Sequence, residues 1–110
     1  MKDEGNLFSE VEGREREVVE RILETEGFRI ERIFSHGHAS APGHWYDQDR
    51  NEWVALLRGT AALSFADGRT VEMKSGDYLL LERNVKHRVE RASEDALWIG
   101  VLYSGAARKE

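Results

Sequence analysis

The chain has 110 residues, which suits one domain with its own core, and a second folded domain is not expected. It has no Cys, so disulfide frameworks, thiolate metal clusters and cysteine nucleophiles are excluded, and any metal must be held by His, carboxylate or amide side chains. A formal net charge of −5, from 16 basic against 21 acidic residues, argues against nucleic acid as a partner, because phosphate binding needs a concentrated basic surface.

The first residues lack the apolar stretch of a signal peptide, and no segment approaches the ~18 consecutive apolar residues of a membrane span. The expectation is therefore a cytoplasmic chain with no membrane partner.

In chain order, residues 1–27 read as an N-terminal tail and helix. Val18, Val19, Ile22 and Leu23 cluster at i, i+1, i+4 and i+5 among Glu and Arg, the pattern of an amphipathic helix over 9–26. Ser9 with Glu12 resembles a capping box, and Gly27 is placed to stop the helix.

From Phe28 the period shortens to two and turn signals recur, as in an all-β sandwich or barrel over 28–104, followed by a tail at 105–110. Strands are predicted near 28–35, 44–48, 52–58, 60–66, 69–73, 77–82, 85–91 and 96–103. Ala41, Pro42 and Gly43 punctuate the first long loop, Asp67-Gly68 is a hairpin signal, and Ser75, Gly76 and Asp77 mark a further turn. Phase places Glu52 with Val54 and Leu56, and His87 with Val85 and Val89, so both polar groups point with the apolar residues.

Two anchors within the stretch from Gly43 to Tyr103 resemble the cupin family of small jelly-roll β-barrels. Glu52 followed by Gly59 fits the second half of the first cupin motif, and Gly76 with His87 fits the spacing of the second, with Glu82 and Asn84 where Pro and Gly stand. More narrowly, Pro42-Gly43-His44-Trp45-Tyr46-Asp47-Gln48 followed by Glu52-Trp53-Val54 is similar to a group of single-domain bacterial cupins with a Trp-Tyr-Asp-Gln segment. The resemblance implies a cupin-type jelly-roll β-barrel, which with the leading helix is the expected fold. It departs from the family where Trp45 and Asp47, or Tyr46 and Gln48, stand in place of the two His residues of the first motif.

The resemblance implies a site built from side chains that project into the barrel. A carboxylate in core phase must be paired, hydrogen-bonded or bound to a cation, because an isolated buried charge is costly. One reading gives Glu52 and His87 a divalent metal (Mn, Fe or Zn), with Asp47, Gln48 or His44 completing the sphere. In the other, Glu52 and His87 bond each other or internal water in a metal-free pocket.

Trp45, Tyr46 and Trp53 are candidate walls for a small-molecule ligand, although strand aromatics also serve as ordinary packing or dimer contacts. Tyr46 is the one candidate for proton transfer. His36 and His38 form an HxH beside the Ala-Pro-Gly turn and read as loop or strand-end residues. The family expectation for an enzyme is a metal-dependent isomerase, dioxygenase or lyase; a binding or sensor module would use the same pocket without turnover. No organic cofactor is implied, and a homodimer is the expected assembly.

Overall fold

The computed structural model describes residues 3–13 and 15–105. Eight strands are present among these residues and no helix: β1 (Val18–Glu24), β2 (Phe28–Phe34), β3 (Asn51–Arg58), β4 (Thr60–Phe65), β5 (Thr70–Lys74), β6 (Tyr78–Leu81), β7 (His87–Ala92) and β8 (Leu97–Tyr103). They form a five-stranded sheet, β1-β2-β8-β3-β6, and a three-stranded sheet, β5-β4-β7, with every pairing antiparallel.

Alternation along the strands creates the space between the sheets. Val54, Leu56 and Trp98 of the larger sheet meet Ala61, Leu63, Phe65 and Met73 of the smaller, and Leu81 and Ala96 complete the cluster. Each of these side chains is almost wholly withdrawn from water, and burial of such apolar area is the main favourable term for a domain of this size.

The expected helix over 9–26 is replaced by β1. Its register runs from Val18 opposite Phe34 to Glu24 opposite Arg29, with an irregularity between Arg21 and Leu23 that leaves Ile22 out of the ladder. That extra residue shifts the phase of the strand by one, so apolar residues at 18, 19, 22 and 23 look helical in sequence while lying on a bulged strand. Three of the four are β-branched, and the free edge of β2 supplies the backbone partners that decide the outcome.

Gly27, expected to end a helix, lies instead in the β1–β2 connection, where its N–H and that of Phe28 donate to Thr25 Oγ1. Ser9 makes no capping box: its hydroxyl donates to the Asn6 carbonyl at 2.6 Å. The segment before β1 is held on the outer face of the sheet by Arg32. Its Nη1 donates to the carbonyls of Asn6, Leu7 and Ser9, and its Nε and Nη2 donate to the two carboxylate oxygens of Glu20.

The predicted strand at 44–48 is reduced to a single bridge between Tyr46 and His87. The 35–50 connection instead runs along the free edge of β7. Tyr46 and His87 exchange both backbone hydrogen bonds, at 2.7 and 3.1 Å, Ser40 N–H donates to the Val89 carbonyl, and Asn84 N–H donates to the Gln48 carbonyl.

The crossing from one sheet to the other happens at Gly59, with φ of +90°. A Cβ there would collide with Ser93 Oγ and lie 2.9 Å from the Ala96 Cα. Gly59→Ala is therefore expected to cost about 2 kcal/mol or more, from left-handed strain together with displacement of the 93–96 backbone. Urea unfolding monitored by far-UV circular dichroism checks this, and an unchanged midpoint would contradict it.

Candidate functional site

Glu52 comes from β3 of the larger sheet and His87 from the first position of β7 in the smaller one. The two sheets bring them to a single cavity of about 160 Å³, also lined by Glu17, Glu31, Ser35, Tyr46, Gln48, Ile33, Trp98 and the aliphatic side chains of Val54, Leu63, Leu81 and Val89. A second and larger space, about 760 Å³, lies at the N-terminal segment beside Glu20 and Arg32, away from these groups.

Glu52 is 7% exposed. Its Oε1 accepts a hydrogen bond from Gln48 Nε2 at 3.1 Å. Gly100, across the β3–β8 ladder, makes room for the carboxyl, since a Cβ at that position would stand 2.9 Å from Glu52 Oε2. Loss of hydration raises the Glu52 carboxyl above its ordinary value of 4.5. The Gln48 bond and the Arg29 guanidinium oppose that rise, while the Glu31 and Glu17 carboxylates reinforce it.

His87 is 5% exposed, and burial lowers its affinity for a proton while the hydrogen bond to Val85 works the other way. Its Nδ1 lies 3.3 Å from the Val85 carbonyl oxygen. A carbonyl only accepts, so Nδ1 carries the hydrogen and the neutral ring keeps Nε2 as an acceptor. The Tyr46 ring stacks on the imidazole with centroids 5.7 Å apart, and His44 meets the other ring of that pair edge-on at 4.7 Å from Tyr46.

The remaining expected site residues are distributed differently. Gln48 and Tyr46 line the cavity, whereas His44, Trp45 and Asp47 are exposed and do not. The Trp45 ring lies under the Arg88 guanidinium at 5.9 Å. Trp53 is one residue out of phase with Glu52 and faces outward, its ring 5.8 Å from that of Tyr78. His38 is exposed, and His36 is buried beside the Phe34 ring, with its Nδ1 donating to the Arg16 carbonyl at 2.9 Å.

Among the described residues, no group of three or more His, Asp or Glu side chains is placed to hold a metal ion. Asp47 and His44 lie outside the cavity, so the donor set expected around Glu52 and His87 is not assembled there.

Three polar lining residues, Glu31, Glu17 and Ser35, are not among the expected site residues. Glu31 faces inward because it shares phase with Ile33 on β2. Its Oε2 lies 3.2 Å from Arg29 Nε. Glu17 reaches the mouth from the residue before β1, held there through the His36 bond to Arg16. Partial desolvation raises its carboxyl, His38 lowers it and Glu31 raises it. Ser35 accepts the Trp98 indole N–H at 2.9 Å. Gly100 within the apolar run of β8 was the available signal, since a glycine inside a strand marks the close approach of another group.

The family model for the cupin domain matches residues 31–102. The chain belongs to the cupin domain family. Among solved structures, this cupin is similar to one named a putative mannose-6-phosphate isomerase from Ralstonia eutropha JMP134, at 35% identity and a TM-score of 0.88, covering 94% of this chain and 100% of that one. An RmlC-like cupin protein from Desulfovibrio desulfuricans shares 22% identity with a TM-score of 0.72, over 94% of this chain and 96% of that one. A cupin superfamily protein from Desulfitobacterium hafniense DCB-2 shares 12% identity with a TM-score of 0.73, over 96% and 94%. These last two establish likeness of fold. No curated protein matches the chain.

The acid–base state of this cupin's barrel has a measurable signature. The folded Glu52 carboxyl titrates above its unfolded counterpart, so the stability associated with it is complete below pH 4.5 and is lost as pH rises through the folded value. Glu52→Gln, which keeps the shape and can still meet Gln48, is expected to raise Tm at pH 8 by about 4 °C, roughly the effect of 1 kcal/mol in a domain near this size. The gain should vanish near pH 4.

His87 has the opposite dependence: its folded affinity for a proton is depressed, so stability falls as pH drops below 6.5 toward the folded value. His87→Gln should flatten that acid limb. Calorimetric scans between pH 4 and 8 check both, and equal pH profiles for wild type and variants would contradict the assignment.

Proposed function

We propose that this cupin binds a compact organic molecule inside its barrel, with the Glu52 carboxyl and the His87 imidazole as the recognition centre and without a resident metal. The observation that carries this reading is the convergence of these two buried polar groups, from opposite sheets, on one cavity of about 160 Å³. The Glu52 Oε2 and His87 Nε2 atoms have no hydrogen-bond partner among the described residues and are not wholly cut off from water, so both are open to a molecule in the cavity. The volume is below the ~300–1,000 Å³ of sites for drug-sized ligands, which points to a molecule of modest size. Aliphatic side chains and the Trp98 indole give it an apolar floor, and Tyr46 with Gln48 belongs to the polar side.

A reading with turnover is favoured by one further observation. Burial pushes the carboxyl up and the imidazole down, which brings the proton affinities of the two groups closer together and suits the pair to passing a proton. The similar Ralstonia eutropha structure is named a putative mannose-6-phosphate isomerase, and an isomerisation is one reaction that such a pair of groups could serve. A phosphorylated substrate is poorly matched to this cavity, because no Lys or Arg lines it among the described residues.

Val19 sits on the edge strand at the cavity, 52% exposed, so a large side chain there closes the space without disturbing the core. Native mass spectrometry of the protein purified without chelator should show a bound small molecule that is lost in Val19→Trp. Elemental analysis should show no stoichiometric Mn, Fe or Zn. A stoichiometric metal that disappears in Glu52→Gln would overturn the metal-free reading, and retention of the molecule by Val19→Trp would overturn the location.

A further inference from the structure

The polar wall of the cavity is unbalanced in charge. Glu17, Glu31 and Glu52 all line it, and no Lys or Arg does among the described residues. The guanidinium nearest to them, that of Arg29, is shared between two carboxylates, with Nε 3.2 Å from Glu31 and Nη1 3.5 Å from Glu24. His38 acts on Glu17 from the exposed side of the mouth. Glu31 and Glu52 are buried and Glu17 lies exposed at the mouth; carboxylates that share one cavity repel one another unless a proton or a positive charge joins them.

The hydrogen-bond inventory points the same way and is independent of charge. His87, 5% exposed, has given its Nδ1 hydrogen to Val85, leaving Nε2 as an acceptor without a partner among the described residues. Glu52, 7% exposed, likewise has an Oε2 that accepts no hydrogen bond among them. The Gln48 amide, the nearest strong donor, is already engaged with Oε1. The Tyr46 and Ser35 hydroxyls and the second Gln48 N–H can donate into the same space, but the unpartnered atoms of the two buried groups, Glu52 Oε2 and His87 Nε2, both accept, so a molecule that joins them must bring donors.

We infer that the ligand of this pocket is a compact organic cation, a protonated primary amine with a short apolar body. Its ammonium donors would satisfy Glu52 and His87, and its carbon chain would lie on Val54, Leu63, Leu81 and Val89 beside the Trp98 indole. An ammonium group offers three donors and a full positive charge. The inference rests on the pocket reading given above, and it adds the charge and donor character of the molecule that enters.

The test uses the full chain, ¹⁵N-labelled, titrated at neutral pH with n-butylamine, n-butanol and sodium butyrate, which share a carbon chain and differ in head group. The Trp98 indole N–H reports occupancy. Saturable shifts with butylamine, at least about tenfold weaker binding of butanol and none of butyrate are expected, because loss of a charge-assisted bond in a buried site is worth that much. Glu52→Gln should weaken butylamine by about tenfold or more while leaving butanol unchanged, and Glu31→Gln should weaken it in the same direction. A well-dispersed spectrum shows that each variant is folded.

Equal binding of butanol and butylamine, or preferential binding of butyrate, would overturn the cationic assignment while leaving the pocket reading intact. The absence of any shift with all three would sink both.

Discussion

A carboxyl group that has given up its water needs replacement partners, and the interior of this barrel is arranged around that requirement at Glu52. One oxygen is met by Gln48, the other lies over the backbone of Gly100, and the charge is opposed at a distance by Arg29. An apolar residue at position 52 would fill the same space at lower free-energy cost. The acid therefore weakens the fold in which it sits, and such groups are found where binding or chemistry depends on them.

The architecture supplies that group with its surroundings by simple means. Crossing from β3 to β4 at Gly59 takes the chain directly from the larger sheet to the smaller, so that Val54 and Leu56 face Ala61, Leu63 and Phe65 across the core. The long connection after β2 does not form a ladder of its own. It is fastened at separate points, to β7 through Ser40 and Tyr46 and to the β6–β7 connection through Gln48, and those attachments carry Tyr46 and Gln48 to the cavity while leaving His44, Trp45 and Asp47 in solvent.

Much of this was legible in the sequence, for identifiable reasons. Period-two alternation and the glycine turns locate the strands from Phe28 onward, and the phases of Glu52 and His87 direct both groups inward. The same phase argument turns Trp53 outward, although the apolar character of both faces of β3 obscured it. The first strand was not legible: with Ile22 bulged out of register, its apolar residues repeat at helical spacing, and only the vacant edge of β2 determines that it pairs. Glu31 was hidden because the two faces of β2 each mix charged and apolar residues. Glu17 was hidden because its position depends on His36 holding the Arg16 carbonyl, a contact across the chain that no local pattern encodes.

Gly100 ties two distant places in the chain to one another. The closest atom that a methyl group there would strike is Glu52 Oε2, the tip of a side chain from the neighbouring strand, and the next contacts, Ile33 and Glu31, are looser. Alanine at position 100 therefore requires the Glu52 carboxyl to swing aside or a shorter residue at 52. Related barrels that hold an acid in this placement should favour glycine opposite it, a correlation that marks which members retain an acidic interior.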